Sequence, residues 1–491
     1  MNSHTPVSER KKSTVQQRNH FTEGLFVLLF CLVSASTYAS CHAVTPSGAG
    51  SRNGSNWSNA FAGLPATRVR GDVYYLADGS YGAVNLSDND SGTESIELRK
   101  AQSYDHGRSS DGCSNDISTG WNASTMGSAQ AVFVNSFNIG SSYLIVNGNG
   151  QQTTPGCGGA PGSTVAAAPP RPTDCGIKIK DLSGGSGGII RASSGAHDYT
   201  FRYTEWLGVG APSANEDMFM FGAGDGAGPN TFDHVYGHNA GCVYIQDTNG
   251  TRTVKNSYFW GTEVQGVNSD GCHGQFEFEY GGTSNGSEFN NVFRDITGTA
   301  VWTFAAGSGT NTNWHFYNNV IFNSSPTVSW SPFLSDGVWA CINSGVNCNN
   351  FTIVQNTILN MSEQSGINNE NNGSYTVENN IWYLNRSGTS FNSGTGGTFI
   401  QDHNSFLQSS GGPSGTDNIV VTSSIPNPFV NWQVGNFNLV LEGADWDNRL
   451  LLSSAYSADA AGNKFTTDRG AYQFSGTQGP NAPSGLTATV Q

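Results

Sequence analysis

One short phrase recurs across residues 231–406 and restricts the fold more than any other feature of the chain. It is an apolar residue, a polar residue, an Asn or its stand-in, a small or β-branched residue, then an aromatic or aliphatic pair. The copies are Phe232-Asp233-His234-Val235-Tyr236, Val254-Lys255-Asn256-Ser257-Tyr258, Phe289-Asn290-Asn291-Val292-Phe293 and Tyr317-Asn318-Asn319-Val320-Ile321. Three more are Val354-Gln355-Asn356-Thr357-Ile358, Val377-Glu378-Asn379-Asn380-Ile381 and Gln401-Asp402-His403-Asn404-Ser405. Aligned on the Asn or its stand-in, the anchors fall at 234, 256, 291, 319, 356, 380 and 404. The spacers vary while the phrase does not, which is the mark of a stacked solenoid.

Alternation of apolar and polar positions over five or six residues predicts a strand with one buried face. A strand that returns once per coil lies parallel to its own earlier copy. Asn side chains stacked in this way form an amide ladder, each donor meeting the acceptor of the next coil. Asn also tolerates the left-handed backbone of a sharp corner. The spacers are rich in Gly, Ser, Asn and Thr and poor in helix formers. The expectation is an all-β parallel β-helix with an Asn ladder.

Composition agrees. The 491 residues include 63 Gly but only 12% charged residues, and 27 Phe with 11 Trp can fill a long core. The formal charge of −15 disfavours nucleic acid as a partner. Residues 1–39 have the form of a secretion signal: a basic start, the apolar run from Leu25 to Val33, then small residues ending at Ala39. Cys41 leaves a lipoprotein anchor as the less favoured alternative. The apolar run is short for a bilayer, so no membrane span is expected. Residues 40–475 are assigned to the β-helix, with coils to about 440 and a closing strand at 468–474. Long loops fall at 104–128 and 149–188, and an extended tail at 476–491. Beyond the signal eight cysteines remain, and an even number in an exported chain points to disulfides. Local pairing favours Cys157–Cys175 and Cys341–Cys348, successive coils bring Cys242 to Cys272, and Cys41–Cys113 is then left, among many connectivities.

The opening text carries a family resemblance. Gly71-Asp72-Val73-Tyr74-Tyr75-Leu76-Ala77-Asp78-Gly79, then Ser91-Gly92-Thr93 and Ile96-Glu97-Leu98-Arg99-Lys100-Ala101, resembles the first coils of secreted parallel β-helix proteins. That superfamily includes pectate-lyase-like enzymes and the alginate lyase and chondroitinase B group. The resemblance implies that the β-helix is right-handed, with an N-terminal cap over the first coil and coils of three strands.

Chemistry is expected around 268–280. From Gln275 the residues alternate, which places Phe276, Phe278 and Tyr280 on one face and Glu277 and Glu279 on the other, projecting outward. Asp270 and His273 precede them, and Asp233, His238, Trp260 and Arg294 lie on neighbouring coils. Oxygen ligands from Glu277, Glu279 and Asp270 suit Ca²⁺. Chondroitinase-B-like lyases resemble this, with an outward Glu-x-Glu for calcium, a Lys base and a nearby Arg. Here no Lys follows Glu279 on its coil, so Lys255 is the candidate base, by elimination, or it simply pairs with Asp233. Arg294 and His273 complete the catalytic candidates. Asp233, His238 and Trp260 are the candidate substrate contacts.

The expected function is a secreted, monomeric protein acting on an acidic polysaccharide, by calcium-assisted β-elimination of a uronate. A non-catalytic cell-surface or matrix protein that binds glycan or protein is the alternative. A polygalacturonase-like hydrolase is the third reading, on the faint likeness of Asn268-Ser269-Asp270-Gly271 and His273-Gly274.

Overall fold

The computed structural model describes residues 39–472 except 90, 152–156, 158–174, 183–187, 194, 211–216, 222–228, 248–250, 263–271, 280–281, 283–284, 297, 306–308, 325–336, 362–363, 386–388, 390, 393–396, 441–455, 461–463 and 465–467. The expected signal, Asp270, most of the 149–188 loop and the tail therefore lie outside the described residues.

The chain winds as coils of up to three short strands, each stacked parallel on its predecessor. One sheet has thirteen strands, from Phe61–Ala62 and Cys41–Thr45 through Thr251–Lys255 to Thr398–Asp402. Two further ladders, joined by the long strands Gly79–Leu86 and Ala131–Ile139, complete each turn. We call them the second and third sheets. The second runs from Ile177–Lys180 through Thr204–Leu207, Tyr236–Ala240, Tyr258–Thr262 and Val292–Arg294 to Ile419–Val421. Every pairing in these sheets is parallel, so the architecture is a parallel β-helix, as the repeat and the opening coils imply. Inward residues such as Phe201, Phe232, Phe259, Phe293, Trp302 and Trp382 form one continuous core. Large rings suit this role because only one or two side chains per strand fill the lumen.

The Asn ladder is present and buried. The backbone N–H of Asn291 donates to Asn319 Oδ1 at 3.1 Å, Asn319 to Asn356 at 3.0 Å and Asn356 to Asn380 at 2.8 Å. Asn380 donates to Asn404 at 3.0 Å, and Asn404 to Asn418 at 2.8 Å. The structure corrects the register of the first two copies by one residue. Lys255 pairs with Phe289, so Asn256 stands beside Asn290 rather than Asn291. His234, Asn256, Asn290, Asn318, Gln355, Asn379 and His403 form an outer corner column with φ between 50° and 58°. The inner column continues past Asn291 with Ser257, whose hydroxyl accepts from Val235 N at 3.0 Å. Ser257 is small and polar, so the sequence hid its place in the ladder.

The cap is the strand Cys41–Thr45 and the 3₁₀ turn Trp57–Asn59, with buried Trp57 packed on Trp121. The expected loop at 104–128 folds onto this cap, with short helical turns at Ser109–Asp111 and Ala123–Met126. All four expected disulfides form, with Cα–Cα distances of 5.5 Å for Cys41–Cys113, 4.9 Å for Cys157–Cys175, 5.6 Å for Cys242–Cys272 and 6.3 Å for Cys341–Cys348. Among the described residues no helix is long and apolar enough to cross a membrane.

The far end differs from expectation. Among the described residues the last stacked strand is Ile419–Val421, short of residue 440. After it, Phe429–Asn431 and Asn436–Leu439 pair antiparallel as a hairpin laid on the outer face of the second sheet. Residues 468–472 do not add a closing strand. They run back over the corner column as a strap, where Gly470 N donates to Asn379 O at 2.7 Å and Ala471 N to Thr357 Oγ1 at 2.9 Å. Gly470 has φ of 85°, and a Cβ there would meet Ile381 and Thr357 at 2.8 Å, so only glycine passes.

Candidate functional site

The corner column sets which side chains meet. Two residues past each corner, the second sheet points outward through Glu205, Tyr236, Tyr258, Val292 and Val320. Four residues past, it points outward through His238, Trp260, Arg294 and Phe322. Three of the expected site residues, His238, Trp260 and Arg294, are therefore in-register neighbours on successive coils.

Their contacts are dense. Glu205, 4% exposed, accepts from Lys178 Nζ at 2.8 Å, from His238 Nε2 at 2.9 Å and from Gln130 Nε2 at 2.6 Å. The His238 ring stacks on Tyr236, 4.6 Å between centroids. The Arg294 guanidinium lies 4.3 Å from the Trp260 ring centroid and 5.8 Å from that of Phe322, as cation–π pairs do. It also bonds Asp295 at 3.1 Å and the Tyr258 hydroxyl. Burial pushes Tyr258 up to about 12 although Arg294 pulls the other way, so its phenol is neutral at ordinary pH.

Glu205 carries a pH prediction. Burial alone would raise its pKa, but the His238 hydrogen bond and the Lys178 charge outweigh that and hold it below the ordinary value. A lowered folded pKa adds stability above the unfolded pKa, and that stability is lost as pH falls through the folded value. Glu205→Gln is therefore expected to cost about 2 kcal/mol at neutral pH. The difference from wild type should shrink below about pH 4.3, as urea titrations at several pH values will show.

The acidic pair is placed differently from expectation. Glu277 and Glu279 do not project outward; both are fully buried in the lumen. A bend at Phe276 breaks the alternation, so Phe276 and Glu277 both turn inward and Phe278 is left half-buried on the outside. The strand Glu277–Glu279 pairs Glu277 with Ile245 and Trp302, both core residues. Both carboxylates bond Arg252, which is fully buried opposite them and lies 4.9 Å from the Trp314 ring centroid. Glu288, also inside, receives the Trp302 indole N–H at 2.8 Å. Burial and the neighbouring Glu277 hold Glu288 far above the usual carboxylate range. These acids serve an internal ionic cluster and face no outer groove. Among the described residues no group of three His, Cys, Asp or Glu is disposed to hold a metal ion.

Lys255 and Asp233 lie on the other side of the corner, on the outer face of the first sheet, paired at 3.4 Å. Asp233 is also bonded by His234 at 2.8 Å and by Asn256 at 2.9 Å. His273 is half-buried near Thr299 and Phe278, away from this column. Glu205, Tyr236 and Tyr258 went unnoticed in the sequence. The signal that finds them is their fixed offset of two from each left-handed corner.

The fold and this outward column define a parallel β-helix with a charged and aromatic strip along one sheet. No family model matches the chain, and neither does any curated protein. Among solved structures it is similar to pectate lyase Pel9A, with 13% identity, TM-score 0.46 and coverage of 90% of this chain and 98% of that one. A mannuronic acid specific family 6 polysaccharide lyase from human gut microbiota matches with 13% identity and TM-score 0.35, covering 78% of this chain and 82% of that one. A lacto-N-biosidase from Eubacterium ramulus matches with 10% identity and TM-score 0.32, covering 78% and 68%. The fold assignment rests on the strand pairing described above.

Proposed function

We propose that the chain is a polysaccharide-acting protein that takes an acidic glycan on the outer face of the second sheet and cleaves it by β-elimination. The observation that supports this is the in-register column His238–Trp260–Arg294, an imidazole, an indole and a guanidinium on three successive coils. Arg294 faces a uronate carboxylate and stabilises the charge that develops on it when the α-proton leaves. Glu205 accepts from His238 Nε2–H, which fixes the tautomer and leaves Nδ1 as the base that removes the proton. Trp260 packs against the sugar ring. The bond from the β-carbon to the leaving sugar's oxygen then breaks, that oxygen takes a proton from the His238 imidazolium or from water, and an unsaturated uronate remains. Lys255, bound to Asp233 round the corner, is not assigned a catalytic role. No calcium role is proposed for Glu277 and Glu279, because both turn into the lumen and bond Arg252 there. Four disulfides suit an oxidising, extracellular location.

The test is the ultraviolet absorbance of unsaturated uronate on alginate, pectate and glycosaminoglycans, with and without chelator. Absorbance is expected to rise on one of them, with the rise lost in His238→Ala and Arg294→Ala. Binding without any rise supports the second reading, a non-catalytic glycan-binding protein. That reading is favoured by one observation: Lys178 and His238 are both already engaged by Glu205.

A further inference from the structure

The strip is short, and it is bounded at both ends. Toward the first coils stands the Cys157–Cys175 disulfide. Both cysteines are fully buried, and Cys157 Sγ lies 3.1 Å from the His234 carbonyl oxygen and 3.9 Å from that of Thr204. Gln130 joins this barrier to the site, because its Nε2 donates both to Cys175 O and to Glu205. Toward the last coils stands the hairpin. Phe437 packs edge-on against Phe322 at 4.9 Å, and Phe322 is the in-register neighbour of Arg294. Phe429 covers Tyr383 two coils further on. Beyond Phe322 the outward column continues as Leu359, Tyr383 and Leu407, all buried under the hairpin and strap. The polar stretch between the barriers spans three coils, His238 to Arg294, a distance of about 10 Å at the usual strand spacing.

We propose that this site takes the end of a glycan chain or a short oligosaccharide, and releases short products from a chain terminus. A polymer running along the axis through the site would have to pass either the disulfide barrier or the Phe437–Phe322 contact. The Phe437–Phe322 contact is packed on the row that carries Arg294, and the disulfide on the corner carbonyls of Thr204 and His234, beside Glu205 and Tyr236. This inference rests on the acidic-glycan reading above and narrows its substrate class from polymer interior to chain end.

The experiment measures binding of oligogalacturonates and oligomannuronates, monomer through hexamer, to the full chain by calorimetry, together with viscosity during digestion of the parent polymers. Affinity is expected to level off by the trimer, with longer oligomers within about twofold of it. Viscosity should fall only in proportion to product released. Phe437→Ala, which removes one barrier, should extend the length dependence by at least one sugar. Affinity that climbs steadily to the hexamer, or viscosity that collapses after few cleavages, overturns chain-end recognition and leaves the acidic-glycan reading standing. No binding of any oligomer overturns that reading and this inference with it.

Discussion

Arg252→Met is expected to destabilise the chain by about 3–5 kcal/mol at neutral pH, because it strands two carboxylates inside the lumen. In wild type, Glu277 and Glu279 share the Arg252 guanidinium, and all three are shielded from water. Without that cation two like charges face each other where no water screens them, and only protons taken up from solution can neutralise them. A raised folded pKa contributes stability that is fully present below the unfolded value and is lost as pH rises. The variant should therefore regain stability relative to wild type on acidification toward about pH 4, near the ordinary Glu value. Adding Glu277→Met and Glu279→Met to it should restore much of the loss, since apolar replacements of buried ion clusters are often neutral or better. Urea midpoints at neutral and acid pH decide this. An unchanged neutral midpoint would place the acids at the surface.

Asn380→Ala is expected to cost roughly 3–5 kcal/mol, from several buried groups left unsatisfied at about 1–3 kcal/mol each. Its amide donates to Ile353 O at 2.9 Å and to Asn404 Oδ1 at 3.0 Å, while its own oxygen accepts from both the backbone and side chain of Asn356. Alanine removes all of these without admitting water. Each coil touches only its neighbours, so the loss should concentrate around residues 353–404. Hydrogen exchange read peptide by peptide should show faster exchange there than at the N-terminal cap. Uniform protection equal to wild type would mean that the amide column is not a structural element.

These two variants mark what the sequence could and could not disclose. Stacking was legible because Asn319, Asn356, Asn380 and Asn404 repeat in fixed context, and an amide ladder favours that identity coil after coil. Disulfides were legible because nearby cysteines in a coil have few other partners. The direction of Glu277 and Glu279 was not legible, because one bend at Phe276 reverses an alternation and nothing in the local text announces a bend. Arg252 offered the missing hint: it sits between Thr251 and Thr253 in a strand whose Val254 must point inward, so it points inward too and requires buried acids. The site column was half legible. His238, Trp260 and Arg294 drew attention as rare chemistry, but their alignment appears only after the corner is moved from Asn291 to Asn290. The hairpin and strap carry no repeat, so their path over the second sheet had no signature.

Glycan is proposed to meet this chain on the second sheet, at Arg294 and its neighbours, and not at the lysine round the corner or at the buried acids. Calorimetric titration of the preferred acidic oligosaccharide into wild type, Arg294→Ala and Lys255→Ala tests it directly. Arg294→Ala is predicted to weaken binding at least tenfold, about 1.4 kcal/mol, while Lys255→Ala stays within about twofold. Unchanged affinity in Arg294→Ala beside a large loss in Lys255→Ala would contradict it.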